Sequence, residues 1–305
     1  MKYGNPDQLA GWIRRIFVGE KLSMNLTRGI PRLWAGLGLV IAAGACATNP
    51  YTERGQLLLV STDYEMQLGA QAYQEVLKDP KVRLSQDPKE VDPVRRVADR
   101  IIAAAKRSKY AETAQRFDWQ VSVIKDDKTK NAFALPGGKV AVYTGIFPIA
   151  KNEAGLAAIM GHEVTHALAR HGAERMSQGI LAQAGLIGAA IGLQTQRAGS
   201  ETSRAVMAAV GLGTQVGVLL PYSREHESEA DYIGMLLAAQ AGYDPQEAVH
   251  VWERMERAGG GQPPELLSTH PSHGTRIQQL EEWMPEALSL YAQASKAPQA
   301  PDLPR

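Results

Sequence analysis

Two histidines and a glutamate fall within five residues, His162-Glu163-Val164-Thr165-His166, in a stretch from Glu153 to Ala169 with a helical pattern. Residues four apart share a helix face, so both imidazoles can reach one cation while Glu163 sits beside a water on it. That is the layout of a zinc hydrolase, although the same spacing also suits a helix with two surface histidines. Two histidines do not complete a catalytic zinc site, which commonly takes three protein ligands and leaves a place for water or substrate. The fold must therefore bring a third donor from elsewhere. A single cysteine excludes a disulfide framework and a Cys-rich cluster, so that donor is a histidine, one of seven in the chain, or a carboxylate.

The donor is offered by Ser223-Arg-Glu-His-Glu-Ser-Glu-Ala-Asp231, on a second expected helix. Glu227 and Asp231 are four apart and share a face. Glu227 can supply the missing oxygen, and Asp231 can accept a hydrogen bond from the outer N–H of a coordinating imidazole, fixing its tautomer and aim. Glu229 is a weaker ligand candidate. His171, His226, His250 and His273 have no such context and read as exposed or packing residues.

Around these motifs the pattern is mainly helical. Apolar spacing predicts helices over 63–78, 91–105, 223–241, 245–258 and 273–283, with Gly172 placed to help end the helix of the histidine pair. Runs at 119–124 and 139–144 read as strands separated by Pro136-Gly137-Gly138 turn chemistry. Residues 179–193 and 205–220 are apolar but shorter than a spanning helix needs, and read as covering helices or, alternatively, a membrane hairpin. The expected class is α+β, mainly helical, with a small sheet beside the active-site helix. Lys and Arg total 33 against 32 Asp and Glu, a net charge of +1, which leaves no electrostatic footprint for nucleic acid.

The N-terminal part reads as a targeting segment. Residues 33–45 are apolar, follow Arg28 and Arg32, and stop at Cys46. Met24 would start a compact signal over 24–45, making 1–23 an upstream extension. Ala43-Gly44-Ala45-Cys46 resembles the bacterial lipobox, which implies acylation of Cys46, a lipid anchor to the membrane, and a periplasmic, outer-membrane location. The alternative is an ordinary secretory signal. Residues 46–60 read as a linker, 61–288 as the domain, and 289–305 as a disordered tail.

H-E-x-x-H at 162–166, S-R-x-x-E-x-E-A-D at 223–231, Asn131-Ala-Phe-Ala-Leu-Pro-Gly-Gly upstream and Ser268-Thr-His-Pro downstream occur in the order of a known family. Over residues 60–285 the chain resembles the HtpX/CAAX-prenyl-protease-like zinc metallopeptidases, and within them the exported BepA/LoiP-like branch without tetratricopeptide repeats. The resemblance implies a gluzincin-like zincin fold and one Zn2+ held by His162, His166 and Glu227. It makes Glu163 the general base, with Asp231 supporting the catalytic set. It places Asn131, Ala132, Phe133 and Ala134 on an edge strand that holds substrate. His270 would approach the metal as a removable fourth ligand or an oxyanion stabiliser, or else belong to a structural turn, and Arg276 would orient carboxylates. The implied activity is cleavage of misfolded or unfolded envelope proteins; the alternative is a non-catalytic chaperone using the same cleft.

Overall fold

The computed structural model describes residues 46–182, 223–258, 270, 275–298 and 302–304. A hairpin of β1 (Cys46–Thr48) and β2 (Gly55–Leu57) comes first. Helices α1 (Thr62–Lys78), α2 (Pro88–Ala105) and α3 (Ala111–Arg116) precede strands β3 (Gln120–Ile124), β4 (Ala132–Leu135) and β5 (Lys139–Tyr143). A short helix α4 (Phe147–Ala150) leads into α5 (Glu153–Leu168), and residues 171–182 are helical (α6). Helices α7 (Arg224–Gln240), α8 (Gln246–Ala258) and α9 (Arg276–Gln293) follow.

The two helices that matter most start on side-chain caps. Asn152 accepts from Gly155 N at 2.8 Å to begin α5, and Ser223 accepts from His226 N at 3.2 Å to begin α7. The three-stranded sheet has the order β3-β5-β4, with β3 parallel and β4 antiparallel to β5. Gly137 and Gly138, at φ of 83° and 81°, make the β4–β5 turn in a region that side chains disfavour. Strand β4 is one edge of the sheet and lies beside α5. The main core joins Val94, Val97 and Ile101 of α2 with Leu156 and Met160 of α5 and Ile233 and Leu236 of α7. The class is therefore α+β, mainly helical, as the pattern implied.

Helix α5 sits at the centre and is buried on all sides, from Ile159 to Leu168 without a break. It meets α7 where Gly161 faces Gly234. A Cβ on Gly161 would stand 2.6 Å from the Gly234 oxygen, and one on Gly234 would stand 2.6 Å from the His162 nitrogen. Each end of α5 is braced by a distant part of the chain. Gln56 Nε2 donates to Ala169 O at 2.8 Å at its C-terminus, and Leu303 N donates to Lys151 O at 2.8 Å just before its N-terminus.

Several expectations are corrected. Helix α5 does not end at Gly172, which lies inside α6; the chain turns at Arg170, with φ of 60°. The Arg170 side chain holds that turn by donating to Glu65 Oε1 at 2.6 Å and Val60 O at 2.8 Å. The supposed linker 46–60 contains the hairpin, whose buried Asn49 accepts from Tyr51 N at 2.9 Å and from the Tyr110 hydroxyl at 3.0 Å. The supposed disordered tail continues α9 to Gln293, and Ala297 N then bonds Gly242 O at 2.9 Å. Helix α3 was not expected. The upstream extension, the signal at 24–45, residues 183–222 and His273 lie outside the described residues. Among those described, no helix is long and apolar enough to cross a membrane.

Candidate metal centre

His162, His166, Glu227 and His270 are buried together, and their ligand atoms all lie within 4.8 Å of one another. His162 Nε2 is 3.0 Å from His166 Nε2 and 3.2 Å from His270 Nδ1. Glu227 closes the cluster, with Oε1 2.8 Å from His270 Nδ1 and 3.4 Å from His166 Nε2, and Oε2 3.5 Å from His162 Nε2. The close approach at Gly161 and Gly234 makes this possible, because it carries the two helices backbone to backbone beside the histidine pair.

Hydrogen bonds behind the histidines define which nitrogens face inward. His162 Nδ1 is 2.9 Å from Asp231 Oδ1, so its N–H points outward and its Nε2 lone pair points into the cluster. Asp231 is fixed by Arg276, whose Nη2 donates at 2.6 Å and whose Nε also reaches it. Arg276 Nη1 stands 3.1 Å from Glu227 Oε2, and its guanidinium lies over the Trp252 ring at 3.4 Å. Glu163 points to the same place, with Oε1 3.6 Å from His270 Nε2.

This donor set fits a divalent cation. Nitrogen lone pairs that face each other at about 3 Å repel unless a proton or a metal lies between them. The buried oxygen Glu163 Oε1 accepts no hydrogen bond, a costly condition that a cation relieves. Glu163, Glu227 and Asp231 against Arg276 also leave two negative charges when ionised, matching one divalent ion. Burial raises the Glu163 carboxyl, with His270 and His162 offsetting part of the shift. Burial pushes Glu227 up as well, but its bonds to His162 and His270 outweigh this and hold it well below the usual carboxylate range. His166 is driven well below its ordinary value by burial and by the surrounding imidazoles.

The structure brings together every expected ligand, the expected base and both supporting residues. Asn131 precedes β4, its Oδ1 accepting from Ala132 N at 2.9 Å, and Ala132, Phe133 and Ala134 lie in the edge strand. Glu229 is absent from the ligand cluster and bonds Arg54 and His171 instead. His171 and His226, read as residues without context, are both buried among carboxylates. His250 is half exposed beside Glu247.

A histidine pair on one buried helix, a carboxylate from a second and a small sheet alongside define a gluzincin-like zinc metalloendopeptidase site, one per chain among the described residues. Residues 88–284 match the model of Peptidase family M48, and the chain belongs to that family. It is similar to the mitochondrial metalloendopeptidase OMA1 of Schizosaccharomyces pombe, 40% identical over 244 residues that cover 78% of this chain and 66% of that protein. The Saccharomyces cerevisiae counterpart is 31% identical, with 80% and 71% covered. The β-barrel assembly-enhancing protease of Escherichia coli is 32% identical over 51% of this chain and 32% of its own. The chain thus spans about two thirds of the yeast relatives' length.

These alignments overturn the placement in the exported BepA/LoiP-like branch and, with it, the periplasmic outer-membrane location. The relatives matched over 78% and 80% of the chain are mitochondrial metalloendopeptidases. The physical reason is that an apolar run behind arginines reports only that a segment can leave water, and small residues before a cysteine add little discrimination.

Proposed function

We propose that this protein is a zinc-dependent endopeptidase that cleaves internal peptide bonds of unfolded or misfolded proteins. The observation that carries the reading is the convergence of His162, His166 and Glu227 beside an ionisable Glu163. Zinc, when held there, polarises the scissile carbonyl and lowers the pKa of water. Glu163 takes the proton of the attacking water and returns it to the departing amine nitrogen. Asp231, clamped by Arg276, keeps His162 in the tautomer that offers Nε2. His270, within reach of Glu227 and His162, would serve as a removable fourth ligand over the position that substrate would take.

The substrate class follows from β4. Its inner edge pairs with β5, and among the described residues no strand covers its outer edge. An extended peptide can add there through main-chain hydrogen bonds, which favours unfolded segments over particular side chains. The yeast relatives' names state endopeptidase activity, and this chain shares the family.

Glu163→Gln tests the central role. Elemental analysis should find about one zinc per chain in both wild type and variant, with casein cleavage reduced about 10²–10⁴-fold in the variant. Chelator should abolish wild-type cleavage. Undiminished cleavage by the zinc-loaded variant would remove Glu163 from the role of base.

A further inference from the structure

Three histidines are followed three residues later by a glutamate, and two of these pairs meet: His171 with Glu174 on α6, and His226 with Glu229 on α7. The pairs bond crosswise. His171 Nε2 lies 3.0 Å from Glu229 Oε2, and His226 Nε2 lies 3.0 Å from Glu174 Oε2. The two imidazoles stack with centroids 4.4 Å apart. Arg54, from the β1–β2 hairpin, bridges both carboxylates, donating to Glu229 at 3.0 and 2.9 Å and to Glu174 at 2.7 and 2.8 Å. Thr52 adds a further bond to Glu229. On its inner side, His171 Nδ1 stands 2.9 Å from His166 Nδ1.

We propose that His171 and Glu229, anchored by Arg54, are positioning residues that fix the tautomer and aim of His166 for zinc. The inference rests on the zinc reading above and follows from counting protons. A carboxylate only accepts, so the hydrogen of the His171–Glu229 bond sits on His171 Nε2. A neutral imidazole then has its acceptor at Nδ1, and His166 must supply the N–H there. His166 is left with its lone pair on Nε2, the atom that faces His162 and Glu227. Glu229 lies two residues from Glu227 on α7 and so points away from the cluster; His171 spans the gap. The two zinc histidines thus have parallel supports. Asp231 with Arg276 holds His162 directly, and Glu229 with Arg54 holds His166 through a second imidazole.

The test is zinc affinity, read by competition with a chromophoric chelator in the full chain, with no cleavage assay involved. His171→Ala should weaken zinc binding about 10–100-fold. His171→Asn, which can keep an acceptor for His166, should restore affinity to within about 3-fold of wild type. Glu229→Gln, which keeps an acceptor for His171 but loses the charge, should weaken binding about 3–10-fold. Wild-type zinc affinity in a folded His171→Ala protein would overturn the proposal, as would equal losses in the Ala and Asn variants. Should His171→Ala fail to fold, Glu229→Gln decides alone, and unchanged affinity there overturns it. Absence of zinc binding by the wild type would instead defeat the reading of the site itself.

Discussion

Arg276 sits among the buried carboxylates of the metal centre, touching Glu227 and Asp231 while its flat face lies on Trp252. Removing it takes a permanent positive charge away from two buried carboxylates on α7. Arg276→Met is expected to cost about 3–5 kcal/mol of stability in metal-free protein, the usual result of breaking a buried ion pair from one side. The loss should shrink in zinc-loaded protein, because the cation takes over part of the compensation; urea denaturation with and without zinc measures both. At this scale the sequence was legible wherever one helix periodicity links partners. His162 with His166, and Glu227 with Asp231, follow from a spacing of four. His171 was not legible, because its approach to His166 passes through a left-handed turn at Arg170 that nothing in a non-glycine residue announces. The His-x-x-Glu spacing at 171 and 226 did not single them out, because His250 and Glu253 share it away from the site.

The elements whose apolar residues recur at helical spacing, α1, α2, α7 and α8, lie close to where that spacing places them. The sheet was partly legible: alternation gives β3 and β5, and the Pro136-Gly137-Gly138 turn separates β5 from what precedes it. The β1–β2 hairpin escaped because Asn49, Arg54 and Gln56 are polar yet turn inward to hydrogen-bond, so its composition looks like a solvated linker. Helix α3, six residues with no side-chain cap, gives no periodic signal. The crossing of α5 and α7 makes its own demand. Gly234→Ala would push a methyl into the α5 backbone at His162, and an overpacked contact of this kind costs about 1–3 kcal/mol. The expected result is a lower melting temperature together with weaker zinc binding, since the crossing also sets the separation of Glu227 from the histidine pair. A substitution that lowered stability with zinc affinity intact would show that the site tolerates a wider crossing.

Taken whole, the molecule should be sensitive to acid. Burial pushes the Glu174 carboxyl up, but Arg54 and His226 outweigh it and hold it well below its ordinary value of 4.5. Burial likewise raises Glu247, and Arg254 and His250 reverse the shift. A carboxyl depressed in the folded state contributes stability that is fully present above its unfolded value and is lost as pH falls toward the folded one. Buried His166 and His171, held neutral below their ordinary value of 6.5, add the same trend at higher pH, so urea denaturation should show stability falling as pH drops below about 6.5 and falling further below about 4.5. Arg54→Met should flatten that fall by returning Glu174 toward its ordinary value. The braces on α5 carry a further consequence for synthesis. Gln56 holds one end of the helix and Leu303 the other, so its second clasp comes from residues made long after the helix itself. Until residue 303 has been made, the Lys151 carbonyl just before the helix bearing Glu163 lacks this partner, so the completed chain closes a contact that a half-made one leaves open.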